Sequence, residues 1–425
     1  LTSRCFGRME IIMRLGTGKR IITPKKPVRL CGYATRRDVF DGVLEDIYLR
    51  VHYQEYKNNT VVFIYGDLLW WNSEFVMAAR KEAAEAAGLP MDSIFFVASH
   101  NHSGPGTGTT FIPQLETMDI DYVDWLKNQV IEAVMEAKGN LEKVTAIRHD
   151  GTCDCNVFRR AKDDQGKIAM KPNYQVNADK RLTVVSYQRT DGSIKGFMFH
   201  YPCHANLSDG NQVHPDYPGI ALGMLDDYYK GSVSLFLQGC TADIRPNSVL
   251  GNRFVPCDFE HVKMFAQEFF DSCKHAILSK GIRIGDDIEI RHGKGKIPLT
   301  QDFSLKDLEE EAQTDEAVRQ WLTKVKEKDL RPYEVMEISK IRFGSQLSIF
   351  TFNAEVSQYY AEYARTIDPT AICAGYTNGM IGYICTANQI KEGGYEPVGS
   401  ARYFALAGTY KEEIETIIHQ MIERL

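Results

Sequence analysis

Two histidines one residue apart, His100 and His102, stand in the middle of the stretch Phe95-Phe96-Val97-Ala98-Ser99-His100-Asn101-His102-Ser103-Gly104-Pro105-Gly106. They follow a short apolar run, Ile94 to Ala98, that reads as a buried strand. Side chains at i and i+2 of an extended segment point to the same side, so this spacing predicts that both imidazoles face one site. The glycines between Ser103 and Gly108 let backbone approach that site closely. The same event recurs along the chain, where further apolar runs end in Asp67, His204, Asp243 and Glu355. Two histidines with a carboxylate are a common catalytic zinc set that leaves one position open for water. Taken singly, each residue also has an ordinary structural explanation. His204 suits a hydrogen-bonded core histidine, Glu355 a hairpin end and Tyr383 a packed aromatic; Asp67 and Asp243 suit caps for the helices that follow them. Cys153-x-Cys155 reads as structural, because two thiols alone do not complete a zinc site.

The elements that must position these residues alternate between strand and helix, the pattern of an α/β core with a mixed sheet flanked by helices. Strands are expected at Lys19 to Pro24, Val28 to Tyr33, Asp46 to Tyr56, Val61 to Tyr65, Val144 to Asp150 and Val233 to Gln238. A hairpin over Leu182 to Gln188 and Ile194 to His200, turned at Asp191-Gly192, delivers His204; a second, Ile338 to Phe343 with Gln346 to Asn353, delivers Glu355. Ile282 to Pro298 alternates like paired strands, and Ala371 to Tyr376 is a further strand. Helical periodicity covers Asn72 to Ala87, Asp121 to Lys138, Ile220 to Tyr229, Cys257 to Lys280, Val356 to Thr366 and about Ala405 to Leu425. Ser304 to Lys328 is charged with apolar residues at helical spacing, so a single amphipathic helix packed on the body is expected. Gly151 to Arg160 reads as a loop and Asp163 to Tyr174 as an exposed excursion.

The 425 residues, 44% of them hydrophobic, can bury one large core or two moderate ones. A net charge of −6 offers no basic footprint for nucleic acid. No apolar run approaches the roughly 18 residues of a membrane span. Leu1 to Leu15 is interrupted by Arg4, Arg8, Glu10 and Arg14, unlike a signal peptide. Ten cysteines, scattered singly apart from Cys153 and Cys155, are no disulfide framework for a chain this long. A reducing, cytoplasmic setting is therefore expected, unless an export signal has been removed. With no internal repeat or low-complexity linker, residues 1–425 are expected to form a single catalytic domain.

Ser99-His100-Asn101-His102-Ser103-Gly104-Pro105 resembles the Thr-His-Thr-His-Ser-Gly-Pro motif of the neutral/alkaline non-lysosomal ceramidases. Further blocks follow in that family's order. Asn156-Val157-Phe158-Arg159 resembles its Asn-x-Asn-Arg loop, and Asn177-Ala178-Asp179-Lys180 its Asn-x-Asp-Lys strand entry. Cys203-His204 with Asp216-Tyr217-Pro218-Gly219 resembles the second histidine block, and Gln238-Gly239-Cys240-Thr241-Ala242-Asp243-Ile244-Arg245-Pro246-Asn247 the Gly-Asp-x-Ser-Pro-Asn block. Asn353-Ala354-Glu355 stands where the family has Pro-Gly-Glu, and Tyr383 with Gly394-Tyr395-Glu396 resembles its tyrosine-bearing segment. The resemblance implies one zinc ion held by His100, His204, Glu355 and Tyr383. It places His102, Arg159 and Tyr395 around the scissile amide: His102 to carry a proton to the leaving amine, Arg159 and Tyr395 to hold the developing oxyanion. Asp67 and Asp243 become candidates for orienting the ligand imidazoles.

This chain departs from the family at the substrate-facing positions. Arg245 replaces a serine, Ala242 a glycine, Asn353-Ala354 the Pro-Gly pair, and Ala205-Asn206 a Pro-Thr pair. The C-terminal β-domain of full-length ceramidases is expected to be absent. The resemblance thus implies a zinc-dependent amidohydrolase for an N-acyl substrate, ceramide or ceramide-like, with a small molecule or lipid as its partner and no nucleic acid. Arg245 keeps open another small amide or ester, anionic in character. A metal-binding protein without turnover is the alternative of a different class.

Overall fold

In the computed structural model, which describes residues 13–285, 287–300, 303–327 and 331–425, two mixed sheets share a core. The larger runs in the order Leu235–Gln238, Ile194–Tyr201, Arg181–Arg189, Glu142–Thr152, Arg14–Ile21, Tyr48–Tyr56, Asn59–Gly66, Ile94–Ala98, with Ile282–Arg283 beside Glu142–Thr152. The first and last pairs in this order are parallel. The second sheet runs Ile288–Pro298, Tyr333–Phe343, Leu347–Phe352, Ala371–Ala374, with its last pair parallel. Val61 to Tyr65 is buried on both faces, as its unbroken apolar run implies. Val62 and Ile64 pack with the helices Ser73–Ala87 and Ile120–Gly139, while Phe63 and Tyr65 join Ile341, Ile349 and Ile372 of the second sheet. Each fully buried phenylalanine in this layer contributes about 2–3 kcal/mol of transfer free energy. Gln358–Ile367 and Glu413–Glu423 pack on the second sheet, and Asp216–Tyr228 pairs with Phe259–Ile277 over the far half of the first. The α/β architecture with flanking helices is the one expected.

Several local expectations are corrected. The first strand is Arg14–Ile21, not Lys19 to Pro24, because Gly16 and Gly18 let the helix Ile120–Gly139 lie directly on it. A Cβ at Gly16 would sit 1.7 Å from the Ala137 carbonyl oxygen, and one at Gly18 2.3 Å from that of Ala133. Val28 to Tyr33 forms only isolated bridges, Arg29 with Val39 and Leu30 with Pro105. The expected loop and excursion between 151 and 174 contain an antiparallel pair, Asn156–Lys162 with Ile168–Asn173. Ile288–Pro298 pairs with Tyr333–Phe343 across a long insertion, not with a sequence neighbour. The charged segment after residue 303 is two helices, Leu305–Glu311 and Glu316–Glu327, because Asp315 Oδ1 accepts from Ala317 N at 2.8 Å and starts a new helix. The last helix spans only Glu413–Glu423, after a region of turns in which Ala405 has φ 50°. Residues 1–12 of the charged N-terminal stretch, and Lys328, lie outside the described residues.

The two ends of the larger sheet meet at the site. Gln238, the last residue of its strand, donates through Nε2 to the Ser99 and Cys203 carbonyls, each at 2.8 Å. One buried amide thereby ties together the residues immediately before His100 and His204.

A candidate metal centre

His100 does not sit in extended backbone. The chain leaves the strand Ile94–Ala98 and turns through the left-handed region at His100, φ 62°, an uncommon conformation for a side chain larger than glycine. Such a turn costs of order 1 kcal/mol and persists because its surroundings over-determine it. Asn101 N donates to Leu68 O at 2.9 Å and His102 N to Ala205 O at 3.0 Å. The Asn101 side-chain amide reaches the Asp67 and His214 carbonyls at 3.1 and 2.8 Å. The two imidazoles do meet, but edge to face, with ring centroids 4.7 Å apart at 86°. Their convergence comes from the turn at His100, not from i, i+2 spacing along a strand.

His100, His204 and Glu355 are each 1% exposed, and Arg159 2%. His100 Nδ1 lies 3.0 Å from the Leu69 carbonyl and His204 Nδ1 3.0 Å from that of Ile244. A carbonyl only accepts, so both rings carry their proton on Nδ1 and turn a bare Nε2 lone pair inward. Those two Nε2 atoms stand 3.0 Å apart. Glu355 brings its oxygens to 3.4 Å from the His100 nitrogen and 3.1 Å from that of His204. Acceptors therefore face acceptors in a buried site. Burial keeps the imidazoles neutral, holding His100 down to about 3 and His204 well below its ordinary value. Burial also pushes Glu355 up, against the pull of His100 and Arg159.

Two donors relieve part of this conflict. Arg159 Nη1 approaches His204 Nε2 at 3.2 Å, and His102 Nε2 approaches His100 Nε2 at 3.2 Å. A single divalent cation would satisfy every lone pair at once. Metal–nitrogen bonds of ~2.0–2.1 Å place the nitrogens of a tetrahedral site ~3.3 Å apart, close to the spacings here. His100, His102 and His204 form a group able to hold a metal ion, their ligand atoms all within 4.8 Å of one another.

His102 differs from the other two rings. It is partly exposed, and its Nδ1 has no hydrogen-bond partner among the described residues. The ring lies against Tyr33, centroids 5.0 Å apart, and against the backbone of Gly32, where a Cβ would stand 2.5 Å from Nδ1.

The remaining expected residues converge as well. Tyr383 pairs with Glu355 as a two-strand bridge, and the Arg159 guanidinium lies 5.6 Å from the centre of the Tyr383 ring. Tyr395 packs on Tyr383 with centroids 5.6 Å apart. Burial opposes the charge of Arg159, but Tyr383, Glu396 and Glu355 overcome it and raise its pKa, so it stays a cation. Asp67 and Asp243 do not touch the imidazoles; the backbone carbonyls of Leu69 and Ile244 orient the rings in their place. Asp67 accepts from Tyr48 N at 2.8 Å and Tyr65 Oη at 2.5 Å, anchoring the turn below the site. Asp243 accepts from Ser357 Oγ at 2.5 Å and Gln389 Nε2 at 2.8 Å. Its carboxylate borders a cleft of about 980 Å³ that Arg160 and Gln389 also line.

Three contributors have no role assigned to them from the sequence. Glu396 binds Arg159, Gln238 ties the histidine segments, and Tyr376 stacks on His100 at 4.1 Å with its hydroxyl 2.6 Å from Thr241 Oγ1. Glu396 and Gln238 stand inside blocks that resemble family blocks, but only the folded chain shows what they bind.

No protein-family model matches the chain, and no curated protein matches it. Solved structures do. One is the neutral ceramidase from Pseudomonas aeruginosa, with a TM-score of 0.78 at 17% identity, covering 97% of this chain and 74% of that one. Another, described as a ceramidase complexed with C2, gives a TM-score of 0.76 at 14% identity with the same coverage. The chain thus has the neutral ceramidase-like fold.

Proposed function

We propose that this chain is a zinc-dependent hydrolase that cleaves the amide bond of an N-acyl substrate, ceramide or a ceramide-like molecule. The observation that carries the reading is the inward-facing acceptor set: two carbonyl-fixed imidazoles and the Glu355 carboxylate, within 3.0–3.4 Å of one another and buried. The names of the structural neighbours favour ceramide as the first substrate to try.

In this reading His100, His204, Glu355 and Tyr383 hold the ion. Bound zinc would supply Lewis acidity and a water with a pKa lowered towards ~7. The chain's own residues do the rest. Arg159, kept charged by Glu396, Glu355 and Tyr383, presents a guanidinium edge to the carbonyl oxygen of the amide. Tyr395 adds a hydroxyl from the adjoining segment, and each such donor typically contributes about 3–4 kcal/mol at a developing oxyanion. We assign His102 to proton transfer at the leaving nitrogen, since no carbonyl locks its tautomer and it reaches the open side of the site. His100 and His204, locked through Nδ1, suit ligands.

Metal analysis of purified protein, followed by a panel of ceramides, N-acyl amino acids and acyl esters with and without chelator, tests the reading. About one zinc per chain and chelator-sensitive release of a fatty acid from an amide are expected. Metal without turnover on any member would leave a metal-binding protein and reject the hydrolase.

A further inference from the structure

Arg245 is a cation without a counter-ion beside the histidines. It lies in the short strand Ile244–Pro246, paired to Val157, between the Ile244 carbonyl that fixes His204 and the strand that carries Arg159. Its side chain is half-buried, with Nε sealed from solvent and without a hydrogen-bond partner. Nη1 meets only the Met170 sulfur at 3.4 Å, and the guanidinium lies 4.9 Å from the centre of the Phe254 ring. Among the described residues no carboxylate comes within ion-pair distance of it. The other buried arginines near the site are all compensated. Arg159 and Arg160 share Glu396, at 2.8 and 2.5 Å. Arg36 donates to the carbonyls of Cys31 at 3.2 Å and Gly210 at 2.6 Å, and to that of His102.

A charged group drawn out of water is costly unless it is paired. Arg245 therefore holds unspent electrostatic attraction for an anion. Its place in the site says where that anion would lie. Among the ionisable groups of the site its charge interacts most strongly with Tyr33, ahead of Arg159 and Tyr383, and it also reaches His102 and His204. Tyr33 in turn packs on the His102 ring. Arg245, Tyr33 and His102 thus share the side of the centre assigned above to the leaving nitrogen. Phe254 and Met170 form an apolar floor beneath the guanidinium, and its fork matches a carboxylate or phosphate with two parallel hydrogen bonds.

We propose that Arg245 is a specificity-determining residue that binds an anionic group, carboxylate or phosphate, on the amine half of the substrate. The favoured substrates are then N-acyl amides whose amine carries an oxyanion close to the scissile nitrogen, not neutral ceramides. The proposal rests on the amide-hydrolase reading above.

The test compares an N-acylglycine, the matching N-acylethanolamine and its phosphate ester, with wild-type protein, Arg245→Gln and Arg245→Lys. Wild type should favour one of the anionic amides over the neutral one by roughly tenfold or more in kcat/KM, the worth of a charged hydrogen-bonded pair. Which anionic probe wins identifies the oxyanion. Arg245→Gln should lose that preference through KM and leave turnover of the neutral amide within about twofold of wild type, which also reports that the variant is folded. Arg245→Lys should keep part of the preference. Equal handling of anionic and neutral amides by wild type, or a preference that survives Arg245→Gln, overturns the proposal and leaves the hydrolase reading intact. Direct binding of the N-acylglycine to chelator-treated protein separates the two in the other direction. Binding abolished by Arg245→Gln, with no probe hydrolysed by the zinc-loaded enzyme, would retain the anion site and reject the hydrolase.

Discussion

Glu396 grips Arg159 through Oε1 at 2.8 Å, while its second oxygen takes Arg160 Nη1 at 2.5 Å. All three residues are at most 3% exposed. A single buried carboxylate thereby sets the angle at which Arg159 reaches the histidines, while Arg160 faces the cleft on the other side of the strand.

Glu396→Gln should therefore lower kcat by about tenfold or more with metal content unchanged, since a donor moved by even ~1 Å loses most of its value at an oxyanion. Steady-state kinetics beside metal analysis checks this. Unchanged kcat would mean that Tyr383 and Glu355 suffice to hold the guanidinium.

The difference in tautomer locking among the three histidines makes a metal-binding prediction. His100→Ala and His204→Ala should each lose the bound zinc, whereas His102→Ala should retain about one equivalent and lose turnover. Zinc titration of each variant decides it. Loss of zinc from His102→Ala would place that ring in the coordination sphere and reassign the proton carrier.

Glu116 links stability to pH. Buried beside Thr107 N and Asn72 Nδ2, both at 3.0 Å, it is pushed up by burial to about 7 from an ordinary value near 4.5. Between those two values the folded state holds a proton that the unfolded state has released. The protein should therefore lose stability as pH rises from about 4.5 to about 7, by about 3 kcal/mol from this group, and level off above. Denaturation across this range should show the slope in wild type and a shallower one in Glu116→Gln. Equal slopes would remove Glu116 as the cause.

Two glycines separate packing from propensity. Gly16→Ala drives a Cβ into the Ala137 carbonyl and should cost about 3 kcal/mol or more. Gly223 lies in the helix Asp216–Tyr228 with nothing within 4 Å of an added Cβ, so Gly223→Ala should be neutral or stabilise by up to about 1 kcal/mol. Thermal or denaturant unfolding of both variants measures the contrast. A tolerated Gly16→Ala would show that the helix Ile120–Gly139 can lift from the strand.

The sequence by itself determined what local physics controls. Apolar runs such as Val61 to Tyr65 and Ile94 to Ala98 are strands because nothing polar interrupts them, and Asn72 and Gly88 bound a helix through their capping chemistry. The order of short blocks around His100, Arg159, His204, Glu355 and Tyr383 already marked the residues that the fold assembles. What only the tertiary structure decided are relationships between atoms far apart in the chain. The left-handed turn at His100 is held by carbonyls 31 to 113 residues away in sequence from their partners, which no local pattern encodes. The orienting partners of the imidazoles are the Leu69 and Ile244 carbonyls, and every residue carries a carbonyl, so side-chain chemistry pointed to Asp67 and Asp243 instead. Glu396 became the holder of Arg159 only once the loop carrying it closed over the sheet. Arg245, conspicuous in the sequence as a departure, acquires its meaning from a negative fact that only packing can supply: no carboxylate among the described residues reaches it.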